Sequence, residues 1–171
     1  MGREVRKVPP DWEHPKALDG AYQPLHDRDY EFEAREWMEN AVLWAKGEHP
    51  DQNDQWGKDR NVKERHKFYW DWAGQPPDKA YHRPAWAEET RTCIQMYETC
   101  SEGTPISPVM ETPEELARWL TDNGASAFGS HTATYEQWLV MIGEGWAPSA
   151  MFTPGKGLIS GVAATAEKFH A

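Results

Sequence analysis

The chain has 171 residues, a formal net charge of −10, 27% charged residues and a mean hydropathy of −0.86. A field of that sign disfavours nonspecific binding to nucleic acid or to an anionic membrane, and no run approaches the roughly 20 apolar residues of a membrane span. Ten tryptophans, from Trp12 to Trp146, concentrate the core into large rings, each worth roughly 150–250 Å² of surface when buried.

The length fits a single domain, residues 1–171, read as an extended arm (1–28), a helical part (29–90) and an α+β part (91–171). The basic opening, Met1 to Lys7, has no apolar core, so no secretory leader is expected. Residues 5–26 are rich in Pro and Trp, and each X-Pro step turns the preceding residue away from helix. The apolar residues of this arm (Val5, Val8, Trp12, Leu18, Tyr22, Leu25) suggest that it packs across the domain. From Asp29 to Lys46, the residues Tyr30, Ala34, Trp37, Met38, Ala41, Trp44 and Ala45 recur at helical spacing, with Gly47 as the stop. Residues 48–60 read as a polar loop, and a second helix is expected near Asn61–Ala73, ended by Gly74, Pro76 and Pro77.

Thr92–Thr99 alternates like a strand, with Cys93, Gln95 and Tyr97 on one side and Ile94 and Met96 on the other. The odd separation of Cys93 and Cys100 puts them on opposite faces of a strand, so reduced thiols in a cytoplasm are expected. Ile106–Met110 reads as a return strand. Thr112-Pro113-Glu114-Glu115 and Thr134-Tyr135-Glu136-Gln137 are capping boxes that open two helices. Ala150–Thr153 and Leu158–Val162 flank Pro154-Gly155-Lys156-Gly157 as a hairpin. The expected fold is therefore α+β: a small antiparallel sheet, about four helices packed against it, and the extended arm.

The chain carries no nucleophile elbow, no zinc-protease helix motif, no paired Cys-x-x-Cys and no complete phosphate loop. Neither a catalytic residue, a metal nor a cofactor is assigned. Two segments have the composition of a binding site. The first is a basic–aromatic island: Lys58, Arg60, Lys63, Arg65, His66 and Lys67, followed by Phe68, Tyr69, Trp70 and Trp72. Cations beside stackable rings suit a nucleotide-like anion, with Arg60, Lys63, Arg65 and Lys67 for phosphate and Tyr69 or Trp70 for the base. An amphipathic helix with a solvated basic face explains the same pattern. The second is Tyr97–Val109, dense in hydroxyls, Gly and Pro, where Ser101, Glu102, Thr104 and Ser107 could supply converging hydrogen bonds. A structural connection into the capped helix explains that pattern too.

The opening Arg3-Glu4-Val5-Arg6-Lys7-Val8-Pro9-Pro10-Asp11-Trp12-Glu13-His14-Pro15, followed by Pro24-Leu25, resembles that of small proteins encoded by tailed bacteriophages and prophages. Gln95 to Leu120, with its Tyr-Glu-Thr-x-Ser-Glu-Gly-Thr-Pro-x-Ser-Pro-Val segment, and Gly145-Trp146-Ala147-Pro148-Ser149 are similar to the same group. The resemblance implies phage origin and carries over no catalytic residue. It makes a non-enzymatic accessory protein the leading expectation, one that binds a host protein or a nucleotide-like ligand and modulates host machinery or counters host defence. A virion structural or assembly component, and an enzyme acting on nucleotides, stay open as alternatives.

Overall fold

A computed structural model describes residues 2–26, 28–53, 65–99, 103–153, 155 and 157–167. In chain order the elements are β1 (Gly2–Val8), α1 (Tyr30–Lys46), α2 (Pro50–Asn53), α3 (Tyr69–Ala73), β2 (Cys93–Glu98), β3 (Thr104–Pro105), α4 (Pro113–Asp122), α5 (Tyr135–Glu144), β4 (Trp146–Pro148), β5 (Ala150–Thr153), β6 (Gly157–Ser160) and α6 (Gly161–Glu167). Short 3₁₀ turns fall at Lys79–Tyr81 and Glu88–Thr90. The fold is α+β, and the chain divides into two compact units, Met1–Leu25 with Pro84–Ala171, and His26–Arg83.

The first unit is built on an antiparallel sheet ordered β3-β2-β1-β4. The first residues of the expected arm form β1, one of its two inner strands. This strand runs against β2 from Arg3↔Glu98 to Val8↔Cys93 and against β4 from Gly2↔Pro148 to Glu4↔Trp146. Partners directly opposite share a face, so the register defines two layers. Val5, Met96 and Ile94 lie on one face, against a core of Leu116, Ala117 and Leu120 from α4, Trp138, Met141 and Ile142 from α5, and Val162 from α6. Arg6, Gln95, Glu4 and Tyr97 lie on the other, where the arm after Val8 crosses the sheet. Two arginines are buried in this sheet and each is neutralised at close range. Arg3 meets Glu98 at 2.9 Å and donates to the Ser126 carbonyl at 2.8 Å; Arg6 meets Glu4 at 3.0 Å and donates to the Leu25 carbonyl at 3.2 Å.

Both capping boxes form. Thr112 Oγ1 accepts from Glu115 N at 3.2 Å while Glu115 Oε2 accepts from Thr112 N at 3.3 Å, and Thr134 and Gln137 repeat the exchange at 3.3 and 3.0 Å. The expected return strand over Ile106–Met110 is reduced to β3 and an isolated Ile94↔Met110 bridge. Ser107 interrupts it: the hydroxyl, not a strand carbonyl, accepts from Met96 N at 2.9 Å, and Pro108 has no N–H to donate to a ladder. The last expected strand, Leu158–Val162, ends at Ser160, whose Oγ accepts from Ala163 N at 3.1 Å and opens α6. Gly161 lies so close to the Pro148 carbonyl that a Cβ there has no room.

The second unit holds α1, α2 and α3. Asp29 Oδ1 caps α1 by accepting from Phe32 N at 2.8 Å, and Gly47 ends it in the left-handed region at φ 75°. Of the expected stripe only Trp44 is fully buried; Met38 and Ala45 face solvent. Trp44 and Trp37 pack on Tyr69 of α3. The helix expected at Asn61–Ala73 differs in its described part: Phe68 is extended (φ −119°, ψ 154°), its N–H is held by Asp71 Oδ2 at 3.1 Å, and the helix begins at Tyr69. Residues 61–64 of that expectation lie outside the described residues. No helix among those described is long and apolar enough to cross a membrane.

Candidate functional site

A pocket of roughly 730 Å³ opens in the first unit, between the arm, Gln95 of β2 and the loop before α4. Asp11, Trp12, Glu13, His14, Lys16 and Tyr22 line it from the arm, Gln95 and Ser107 from the sheet side, with Pro10, Pro15, Pro108 and Val109 between them. Proline fixes φ near −65°, so this setting holds the aromatic and charged side chains on a stiff backbone. The wall carrying Lys16 and Tyr22 is a tight reversal. Gln23 N donates to Pro15 O at 2.9 Å and Ala17 N to Ala21 O at 2.8 Å, and Gly20 supplies the positive φ (85°) at the turn. Lys16 and Tyr22 pair across this reversal, with the ammonium 5.1 Å from the ring centroid.

Beneath the pocket lies a buried hydrogen-bond network. Trp12 Nε1 donates to the Tyr97 hydroxyl at 3.1 Å, Tyr97 donates to Gln95 Oε1 at 2.7 Å, and Gln95 Nε2 donates to the Ser107 carbonyl at 2.8 Å. His14 Nε2 lies 2.7 Å from the Gln23 carbonyl, which can only accept, so that nitrogen carries a proton; Nδ1 faces the Tyr97 hydroxyl at 3.3 Å. Burial pushes the His14 imidazole below its ordinary pKa, and the Arg6 charge adds to this, against the opposing effect of the Gln23 carbonyl bond. His14 is therefore neutral at pH 7. Arg6 lies over the Tyr97 ring at 4.5 Å, and Gly103, at φ 89°, packs so closely on the Arg6 guanidinium and the Leu25 carbonyl that only glycine fits.

The chemistry offered to a ligand follows from what this network leaves over. Tyr97 and Gln95 spend their polar atoms on each other, on Trp12 and on the Ser107 carbonyl, His14 Nε2 is held by the Gln23 carbonyl, and Ser107 Oγ accepts from Met96 N while donating to Pro108 O at 2.8 Å. The exposed carboxylates of Asp11 and Glu13, half-buried Trp12 with Trp86 edge-on to it at 4.7 Å, and exposed Tyr22 with Lys16 over its ring line the opening. Two carboxylates against the single ammonium of Lys16 give the rim a net negative charge.

Of the site residues expected from sequence, Arg60, Lys63, Ser101 and Glu102 lie outside the described residues. Arg65 and Lys67 are exposed, with Lys67 Nζ 5.3 Å over the Phe68 ring. Tyr69 packs against other rings, 5.4 Å from Trp37, 5.7 Å from Trp44 and 5.4 Å from His49, so it serves this aromatic cluster. Trp70 is exposed and stacks on Phe68 at 4.4 Å. Thr104 lies in β3, in the first unit, whereas the island lies in the second. Sequence reasoning missed the pocket side chains Asp11, Trp12, Glu13, Tyr22 and Gln95. The one available signal was the Pro-framed Trp12-Glu13-His14-Pro15 element, which packing alone also explained.

The second unit contains a separate histidine site. His82 Nε2 donates to Glu33 Oε2 and Nδ1 to the Asp78 carbonyl, both at 2.9 Å. Both acceptors demand a proton, so the geometry selects the imidazolium. Burial alone lowers the His82 pKa, but the Glu33 hydrogen bond, the Asp78 carbonyl and the two carboxylate charges outweigh it and leave it raised. The same hydrogen bond, chiefly, lowers the Glu33 carboxyl. This pair joins the start of α1 to the turn at Lys79–Tyr81 and reads as a structural clasp. Among the described residues no cluster of His, Cys, Asp or Glu is arranged to hold a metal ion, and Cys93 is a buried free thiol.

No protein-family model, no curated protein and no solved structure matches this chain.

Proposed function

We propose that the protein is a binding protein whose pocket receives a cationic side chain, arginine above all, from a basic partner protein. The observation that carries this reading is the pairing of the Asp11 and Glu13 carboxylates with the Trp12 and Tyr22 rings on one pocket. A guanidinium is planar, weakly hydrated and suited both to a carboxylate and to an aromatic face. The net charge of −10 draws a basic partner toward the protein and raises the encounter rate. The resemblance to tailed-phage proteins makes that partner a host protein and the role an accessory one, such as countering defence. Neutral His14 adds no opposing charge beneath the pocket.

Calorimetric titration with an arginine-rich peptide, and with the same peptide carrying neutral citrulline at each arginine, tests the reading. Binding is expected for arginine and lost for citrulline, and Asp11→Asn with Glu13→Gln is expected to weaken it by roughly tenfold or more, as for a charge-assisted contact. Equal binding of both peptides, or an unaffected double variant, contradicts it. The exposed Phe68–Trp70 stack beside Lys67 favours a second reading, in which a nucleotide-like ligand stacks on the island. Titration with a nucleotide panel separates the two.

A further inference from the structure

The C-terminal hairpin is a surface independent of the pocket. Between Glu144 and Glu167 the sequence holds a single charged residue, Lys156, although 27% of the chain is charged. Three large apolar side chains in that stretch face solvent: Trp146 at 49%, Phe152 at 75% and Leu158 at 59% exposure. Phe152 and Leu158 sit directly opposite each other across β5 and β6, so they form one apolar pair on one face of the ribbon. Met151 and Ile159, the next pair, lie on the opposite face and are half-buried. Depletion of charge together with exposed aromatic and aliphatic area is the composition of an interface core.

The backbone points the same way. Among the described residues the ribbon has two strands, so both are edges. Exposed edges are normally blunted by charged side chains, proline or bulges. Ala150–Thr153 and Gly157–Ser160 contain neither a charge nor a proline.

We infer that this ribbon is the contact between two copies of this chain, joined edge to edge in the antiparallel sense about a twofold axis, which sets the Phe152–Leu158 pairs of the two copies side by side on one face. An antiparallel edge is complementary to itself, since a twofold rotation brings its own donors onto its own acceptors. Charge selects the same occupant. Two molecules at −10 repel across most of their surfaces, and the near-neutral ribbon is where like copies meet at least electrostatic cost. A basic partner is drawn instead to the acidic surfaces, the pocket rim included.

Sedimentation equilibrium of the full chain, from low-micromolar to submillimolar concentration, tests the inference. The mass is expected to rise toward twice the 19.6 kDa of one chain, and more readily at high salt, where the repulsion is screened. Phe152→Asp and Leu158→Asp are each expected to weaken self-association by roughly a hundredfold or more, because like charges then meet at the contact. Met38→Asp, at an exposed apolar site on α1, is expected to leave it unchanged. Hydrogen exchange on the unmodified protein reads the same contact without any variant: amides of Ala150–Thr153 and Gly157–Ser160 are expected to gain protection as concentration rises. A monomer mass throughout, undiminished association in Leu158→Asp, or concentration-dependent protection confined to other segments would overturn the inference.

Discussion

Tyr97→Phe removes one oxygen from the centre of the network beneath the pocket, and the structure sets the size of the effect. The phenyl ring refills the space, so no cavity term enters. Tyr97, Gln95 and His14 are only 2%, 5% and 7% exposed, so water cannot readily replace what is lost. Gln95 Oε1 loses its donor at 2.7 Å and becomes a buried unsatisfied acceptor, which costs about 1–3 kcal/mol. Trp12 Nε1 also loses its acceptor, but Trp12 is half-buried beside an open pocket and can turn to water, which costs about 1 kcal/mol or less. The expected loss is about 1–4 kcal/mol, a large share of a typical domain's stability. Urea denaturation measures it as a lowered midpoint with an unchanged slope. Gln95→Leu should then cost about 1 kcal/mol less in the Tyr97→Phe background than in the unmodified protein, because the acceptor being removed is already orphaned. A Tyr97→Phe loss below about 0.5 kcal/mol, in the range of ordinary surface substitutions, or an additive double mutant, would refute the network as drawn.

Trp138→Ala is expected to destabilise by about 3–5 kcal/mol in the same assay, since Trp138 is fully buried in the core; Trp119→Ala, at a half-buried position, should cost less. Thr112→Ala and Thr134→Ala should each cost about 0.5–2 kcal/mol, and an unchanged melting temperature in either would show that the hydroxyl is not the cap. The two histidines should respond to pH in opposite senses. The raised His82 stabilises fully below the ordinary imidazole range, and that contribution is lost as pH rises through its folded value; the lowered His14 costs stability as pH falls from the ordinary range toward its folded value. Proton NMR titration of the imidazole signals should place His82 above free histidine and His14 below it, and the reverse order would contradict both assignments.

Local signals were legible in the sequence. Asp29 with Gly47, Thr112 with Glu115 and Thr134 with Gln137 act within one turn of chain, so their roles appear in short windows. The alternation of Cys93–Glu98 also assigned its two faces correctly. Non-local pairing was hidden. Gly2–Val8 carries Arg3, Glu4, Arg6 and Lys7, which look solvated until Glu98 and the Leu25 carbonyl arrive from elsewhere in the chain. Leu158–Val162 is apolar enough to continue as a strand, and that run masked the Ser160 cap of α6. In the island, the alternation of inward Tyr69 with outward Phe68 and Trp70 depends on a helix start at Tyr69, after extended Phe68, that the run of rings conceals. The pocket needed both the arm and the Gln95–Ser107 contact, and these segments lie far apart in sequence.

The arginine pocket is tested most directly by the indole N–H signals of the tryptophans, followed in heteronuclear NMR spectra as an arginine-rich peptide is added. Trp12 Nε1–H, which lines the pocket and donates to Tyr97, should shift progressively and saturably, while those of buried Trp138 and Trp44 stay in place. Asp11→Asn with Glu13→Gln should move the Trp12 response to roughly tenfold or more higher peptide concentration and leave the free spectrum intact. Shifts confined to Trp70 and Trp72, or a Trp12 signal that does not move at saturating peptide, would contradict the pocket as the binding site.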